Sequence, residues 1–269
     1  MRFSLSSLLL VLSLAAPAAD AQRRGRGNMY DQLGDPNEYY RPPDFSGNAK
    51  YDGRFTFARI KYRGFACFGP EGPGWSHDYP IAESHFMRVM KSVTGLRPFI
   101  EQGPIQGGNI LALDDPDLMK YPVAYLSEPG GWRPTGAEAA GLRSYLLKGG
   151  FMIVDDFEEN CTGSDMENFT NVMRQVMPGY RLIEIPPTHP IFDSYFKVDL
   201  SLLGRRRGSQ AVWYGVFQDN DPKKKLMVVA NYMNDIGEYM QFSDRGFNVA
   251  PTNEAYKIGV NYIIYALTH

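Results

Sequence analysis

The sequence predicts an α/β fold in which helices cover both faces of a mainly parallel sheet. The clearest observation is a mid-chain unit of strand, Gly-rich loop, helix and second strand, over residues 121–156. Strands also alternate with helices before and after it, over residues 54–93 and 151–177. Alternation at this spacing is typical of parallel strands joined by right-handed crossovers. The sequence therefore predicts a three-layer sandwich whose loops converge at the carboxyl edge of the sheet.

The first half of the domain is predicted to contain three strands and one helix. Aromatic and aliphatic residues mark a first strand over residues 54–62. A helix should begin near Pro80 and end at Gly95, because proline suits the first helical turn and glycine suits the end. Two more strands are predicted over residues 110–113 and 121–126.

The second half opens with a helix whose start is well marked. Thr135 with Glu138 three residues later forms a capping box, which satisfies exposed amide groups in the first turn. The apolar run over residues 151–154 then predicts a buried strand. The remaining predicted elements are a helix opened by Ser164 and Glu167 and ended at Pro178, strands over residues 181–185, 212–216 and 225–230, and a last helix from about Asn253.

The amino-terminal residues have the features of an export signal. A positive start, a short apolar run and small residues before the cleavage point fit a signal peptide over residues 1–21. We expect a flexible arm over residues 22–50 and one α/β domain over residues 51–269. No second apolar run is long enough to span a bilayer, so the expected location is the periplasm or the outside of the cell.

Charge and cysteine content narrow the function classes. A net charge of −2 gives no electrostatic support for nucleic-acid binding. Nucleotide-binding glycine motifs are missing, so no cofactor is predicted. In an oxidising compartment Cys67 and Cys161 are either bridged by a disulfide or remain two separate thiols, and the sequence leaves both readings open.

Acidic and histidine side chains follow the predicted strands. Asp155 and Asp156 come directly after a buried strand, where a carboxylate is able to hold a hard cation, orient a ligand or act as a base. The alternative is that one caps a turn while the other is solvated, and strand alternation lets only one of them face a site. Glu83 in the first helix and His189 in a Pro-framed loop are further catalytic candidates, with structural roles as their alternatives.

Other loops supply candidates for ligand binding. His77, Asp78, Glu83 and His85 lie together near the first helix, but their spacing is not that of a recognised metal motif, so no metal site is predicted. A Gly-rich loop is able to offer backbone amides to an anion, although turn formation explains it equally well. Tryptophans outside periodic elements are able to line a site, although core packing is the commoner reason for such residues. The ligand-binding candidates are Ser127, Gly130, Gly131, Trp132, Trp75 and His77.

Several short strings together point to a family. They are Tyr125-Leu-Ser127, the block that runs from Leu142 through Gly149-Gly150-Phe151 to Asp155-Asp156, His189-Pro-Ile-Phe192, and the closing residues 259–267. They resemble the bacterial domain of unknown function DUF4159, and the resemblance covers residues 54–267. It implies a fold similar to class I glutamine amidotransferases, with a flavodoxin-like sheet.

The resemblance does not carry an amidotransferase activity with it. Active enzymes of that fold present a cysteine on a sharp turn after the strand that here covers residues 151–154. This chain has Asp155 and Asp156 there, and it contains neither a Gly-x-Cys-x-Gly nor a Gly-x-Ser-x-Gly motif.

Two functions follow as expectations. The first is an exported, non-catalytic binding or scaffold protein of the cell envelope, with an unidentified ligand or envelope protein as partner. The alternative is a hydrolase of envelope or extracellular material that uses Asp155 or Asp156, Glu83 and His189, with or without the help of a metal. The missing nucleophile favours the first.

Overall fold

The computed structural model describes residues 48–63, 74–99, 108–157, 165–204 and 210–269. Within them the chain forms a seven-stranded mixed sheet with helices packed on both faces. The prediction of an α/β sandwich is confirmed. Its closer description as flavodoxin-like or amidotransferase-like stays a prediction.

Some of the sequence predictions fall outside the described residues. The signal peptide over residues 1–21 and nearly all of the arm over residues 22–50 are among them. So are Cys67, Cys161 and Ser164. The signal peptide and the second capping box therefore stay predictions, and the choice between a disulfide and two separate thiols stays open.

The sheet is parallel through five neighbouring strands and antiparallel at one side. Its order is β2-β1-β3-β4-β7-β6-β5. Strands β2, β1, β3, β4 and β7 run in one direction, and β6 runs against both of its neighbours. The strands are β1 (Ala58–Lys61), β2 (Asn109–Ala112), β3 (Val123–Ser127), β4 (Phe151–Asp155), β5 (Ile183–Glu184), β6 (Val212–Phe217) and β7 (Leu226–Tyr232).

Helices cover the two faces of the sheet separately. Helices α2 and α3 pack on one face, while α1, α4 and α5 pack on the other. The first helix agrees with its prediction, whereas the last begins at Val249 rather than near Asn253 because Asn248 caps it. The helices are α1 (Ile81–Val93), α2 (Gly136–Leu147), α3 (Asp165–Val176), α4 (Ile236–Gln241) and α5 (Val249–Thr268).

The central strands are apolar throughout because both of their faces are covered. Every residue of β3 and β4 is buried, which explains why these strands read as continuous hydrophobic runs. The helix between them starts as predicted. The Thr135 hydroxyl accepts a hydrogen bond from the Glu138 amide (3.2 Å), and the Glu138 carboxylate accepts one from the Thr135 amide (2.7 Å).

The edge strand β5 is shorter than predicted. It covers only Ile183 and Glu184, although the Ile185 amide still donates to the Trp213 carbonyl (2.8 Å). Pro186 follows and has no amide hydrogen, so the ladder cannot continue through it. The chain therefore leaves the sheet earlier than the apolar pattern indicated.

The order of the strands places a natural binding position between β1 and β3. From β1 the chain crosses to β2 on one side and then returns to β3 on the other. In open α/β sheets, ligands bind beyond the carboxyl ends of the strands at such a reversal. The loops after β1, β3, β4 and β7 meet at this edge.

Candidate functional site at the carboxyl edge

Four side chains that could hold a ligand meet at the carboxyl edge of the sheet. They are His77, Asp78, Asp156 and Asp235, and one donor atom of each lies within 4.8 Å of the others. The first two follow β1, the third follows β4 and the fourth follows β7. We call these four residues the acidic cluster.

Two of its aspartates lie at sharp turns of the backbone. Asp78 has φ = 63° and Asp156 has φ = 57°, a left-handed conformation that residues other than glycine rarely adopt. The turn at Asp156 comes immediately after the last residue of β4. Such conformations concentrate at functional sites, where the surrounding structure holds them in place.

The imidazole of His77 faces three carboxylates. Its Nδ1 lies 2.8 Å from Asp156 Oδ2, 3.6 Å from Glu128 Oε1 and 3.9 Å from Asp78 Oδ2. The His77 side chain is 23% exposed, whereas that of Asp78 is fully buried. Solvent therefore reaches the acidic cluster at His77.

The carboxylate of Asp78 has no hydrogen-bond donor within the described part of the chain. Both of its oxygens are buried and accept no hydrogen bond there. The Asp78 carboxylate lies close to the backbone of Gly237. Only glycine leaves it room there, because a Cβ atom at that position would lie 2.5 Å from Asp78 Oδ2. A buried carboxylate without a donor costs free energy, so this side chain is held in the cluster by its surroundings.

Burial and mutual repulsion change the acidity of the cluster. Burial, together with the carboxylates of Asp156 and Glu238, raises the pKa of Asp78 to about 8. Burial and the Asp156 charge also raise the pKa of Asp235 well above its ordinary value. Although burial alone lowers the pKa of His77, the carboxylates of Asp78 and Asp156 raise it well above the ordinary value. Without a bound cation, the cluster therefore retains protons near neutral pH.

Asp155 is not a member of the cluster and has a different environment. It accepts hydrogen bonds from the Tyr125 hydroxyl (2.6 Å), the Asn231 side-chain amide (2.8 Å) and the Gly237 backbone amide (3.0 Å). Burial raises the pKa of Asp155 to about 6, although these three hydrogen bonds lower it. Asp155 therefore ties β3, β7 and α4 to β4, while its neighbour Asp156 contributes to the cluster.

Glu83 does not join the acidic cluster. Its carboxylate accepts a hydrogen bond from the buried Arg59 side chain on β1, with an Nε–Oε1 distance of 2.6 Å. The guanidinium of Arg59 also lies over the Tyr125 ring, 4.5 Å from its centre. A buried arginine requires an opposite charge, and α1 supplies it through Glu83.

The expectation that His189 lies at the carboxyl edge is wrong. Its ring packs against Phe217 and Tyr265, where β6 ends and β7 begins, which is the opposite edge of the parallel strands. Its Nδ1 accepts a hydrogen bond from the Ile191 amide (3.2 Å). The segment after the short β5 turns back so that Ile191 and the following residue are buried in the core. His189 therefore has the structural role that was its alternative.

The two candidate tryptophans belong to the core. Trp75 is 3% exposed, Trp132 is completely buried, and the Trp132 ring stacks on Phe169 with centres 6.4 Å apart. The expectation that they line a binding site is therefore wrong. Their large apolar rings fill space between the sheet and its surroundings instead.

The Gly-rich loop after β3 is also packed rather than open. Ser127, Gly130 and Gly131 are buried, and the amide of Gly131 donates within the turn to the Glu128 carbonyl (3.3 Å). The carboxylate of Asp165 packs so closely on Gly130 that a Cβ atom there would collide with it. A loop that already faces a carboxylate is a poor binding site for an anion.

Asp235 and Glu128 are the site residues that the sequence reasoning missed. Asp235 comes shortly after the apolar strand β7, and Asp156 comes directly after the apolar strand β4. An acidic residue after an apolar strand was therefore the sequence signal that could have identified Asp235. Glu128 lies in the loop after β3, which the sequence analysis considered only for the backbone amides of its glycines. Both lie at the same edge of the sheet because their strands are parallel neighbours of β4.

Comparison with protein families gives the relationship that the motifs suggested. The model of the family described as a domain of unknown function, DUF4159, matches residues 56–267. The chain belongs to the DUF4159 family. All four residues of the acidic cluster lie inside the matched region. No curated protein matches the chain.

In the described ranges, none of the DUF4159 domain's helices combines the length and the apolar character needed to cross a membrane.

Proposed function

We propose that this protein is an exported, non-catalytic binding protein that takes a positively charged ligand at the acidic cluster. The observation that carries the proposal is the Asp78 carboxylate, which is buried, directed at the cluster and without a donor among the described residues. A ligand with a positive charge would supply the missing partner. Export follows from the signal-like residues 1–21.

The charge balance of the cluster supports a cationic ligand. Once a cation displaces their protons, the three carboxylates face one imidazole, and even a protonated His77 leaves a balance of −3 + 1 = −2. The buried Arg59 on β1 is already paired with Glu83. Charges attract more strongly in a partly buried site than in bulk water, so an ammonium group, a guanidinium group or a metal ion would bind favourably there.

The turn after β4 supports binding rather than covalent catalysis. The family resemblance implies that Asp155 and Asp156 stand where active amidotransferases carry their nucleophilic cysteine, and Asp156 adopts a left-handed turn there. The Asp156 carboxylate and the His77 imidazole lie 2.8 Å apart, and both groups are able to ligate a metal cation once the histidine loses its proton. The same pair, however, also has the geometry of a general acid–base pair.

A thermal-shift screen of the purified exported chain tests the proposal. We expect divalent ions, amines or guanidinium compounds to raise the melting temperature, since a ligand at a hundred times its Kd stabilises a protein by about 2.7 kcal/mol. Asp156→Asn should lose the shift because it removes one charge from the cluster. Asp114→Asn is the matched control, as Asp114 is exposed and follows β2.

Two results would contradict the binding proposal. One is a screen in which no cation stabilises the wild-type chain, and the other is a shift that persists unchanged in Asp156→Asn. Anionic and neutral compounds should give no shift that depends on Asp156.

The second candidate is a hydrolase, and the Asp156–His77 contact is the observation that favours it. Glu83 and His189, which the sequence also offered, are not part of this pair. A hydrolytic rate on envelope material that disappears in both Asp156→Asn and His77→Gln would replace the binding proposal with this one.

A further inference from the structure

We propose that His77, Asp78, Asp156 and Asp235 bind one divalent transition-metal ion. This inference rests on the proposed function and specifies its ligand, since the metal would be the cation that the acidic cluster takes. It assigns the site one imidazole and three carboxylate ligands.

The spacing of the donor atoms fits a single ion. All four lie within 4.8 Å of one another, and Nδ1 of His77 lies 2.8 Å from Asp156 and 3.9 Å from Asp78. Two donors that each lie about 2.1 Å from one metal are at most about 4.2 Å apart. Shifts of a few tenths of an ångström in the side chains would therefore complete the coordination.

The Asp78 side chain is an independent indication of a missing partner. Its residue is 1% exposed, and neither oxygen accepts a hydrogen bond within the described ranges. The carboxylate fits beside Gly237 because that residue has no side chain; a Cβ atom there would displace the carboxylate. Proteins rarely bury a carboxylate in this way unless it is paired or coordinates a metal.

Asp235 is held in place by the helix that it caps. Its Oδ1 accepts a hydrogen bond from the Glu238 amide (2.8 Å) and so caps α4. This bond fixes the orientation of the carboxylate, one oxygen of which lies within 4.8 Å of the other three donor atoms. Ligating carboxylates are commonly held in this way by a second hydrogen bond.

The ligand chemistry selects the class of ion. Imidazole is a good ligand for Zn²⁺ and Fe²⁺, and carboxylates suit Mn²⁺, whereas soft ions such as Cu⁺ prefer sulfur. Ca²⁺ requires six to eight oxygen ligands and is disfavoured by a nitrogen donor. A divalent ion would also reduce the charge of the three carboxylates from −3 to −3 + 2 = −1. Zn²⁺ and Mn²⁺ are therefore the appropriate probes.

The test is a calorimetric titration of the full exported chain, treated with a chelator beforehand, with Zn²⁺ and with Mn²⁺. We expect one ion to bind per chain. Asp78→Asn and His77→Gln should each weaken binding at least tenfold, since even changes to outer residues of metal sites cost about 10–100-fold. The exposed Asp114→Asn should bind as the wild type does.

A measurement without metal separates ligand loss from misfolding. Asp78→Asn replaces a buried carboxyl group that lacks a hydrogen-bond donor by a neutral side chain of similar size, so its metal-free form should unfold at a temperature no lower than the wild type. A folded Asp78→Asn variant that has lost the ion is the expected result. A wild-type chain that binds neither ion, or variants that keep full affinity, would overturn the metal site.

The outcomes for the metal and for the proposed function are distinguishable. If neither ion binds but an organic cation still stabilises the chain through Asp156, the metal assignment fails and the binding function stands. If no cation of any kind gives a shift that depends on Asp156, both proposals fail.

Discussion

At the scale of single residues, the two adjacent aspartates after β4 show how one position along the chain separates structure from function. Asp155 completes the strand and is surrounded by three hydrogen-bond donors, whereas Asp156 adopts φ = 57° and turns toward His77. Residues that follow one another on a strand point to opposite sides, so the sequence already indicated that only one would face a site. Which of the two it is depends on the donors that β3, β7 and α4 provide.

Asp155 is expected to be essential for stability rather than for binding. Asp155→Ala should lower the free energy of unfolding by about 3 kcal/mol, because it leaves the Tyr125, Asn231 and Gly237 donors without their shared acceptor. Chemical denaturation measures this loss, with the exposed Asp114→Ala as control. A loss below about 1 kcal/mol would show that the hydrogen-bonded network contributes little.

At the scale of elements, each site residue is fixed by the end of a strand or the start of a helix. Asp78 precedes α1, Asp156 follows β4, and Asp235 caps α4. The buried pair of Arg59 and Glu83 holds α1 against β1 beside them. The helices therefore both cover the sheet and determine where the acidic side chains meet.

Two glycines of α2 should respond in opposite ways to the same substitution. A Cβ atom at Gly141 would collide with the Leu113 carbonyl, so Gly141→Ala should destabilise the protein by about 1–3 kcal/mol. Gly136 has no atom within 4 Å of such a Cβ, so Gly136→Ala should stabilise it by about 0.5 kcal/mol. Chemical denaturation of both variants checks this pair, and equal effects would contradict the close packing at Gly141.

At the scale of the whole molecule, the parallel sheet is what creates the site. Strands β1, β3, β4 and β7 end at one edge, so residues far apart in the sequence, such as His77 and Asp235, come within reach of one ligand. Contacts with the sheet also begin before residue 51, where the sequence analysis placed the start of the domain. The side chain of Asn48 donates to the Ile110 carbonyl (2.6 Å) and accepts from the Ile110 amide (2.8 Å), which satisfies the outer edge of β2.

Export is a property of the whole chain and has a direct test. If residues 1–21 are a signal peptide, the protein recovered from outside the cytoplasm of a bacterial host should begin at Gln22. Amino-terminal sequencing or intact mass measures this. Recovery of an uncleaved chain from the cytoplasm would contradict the proposed export while leaving the acidic cluster unaffected.

The sequence by itself determined the α/β class, the capped α2 helix and the family, because these depend on local periodicity, capping residues and short motifs. It also identified His77 and Asp156 as candidates, since acids and histidines after strands mark the carboxyl edge. Only the tertiary structure shows that Asp235 lies beside them, that His189 lies at the opposite edge of the sheet and that Glu83 pairs with Arg59. Those outcomes depend on strand order and on which buried charges find partners, which are decided by contacts between residues distant in the chain.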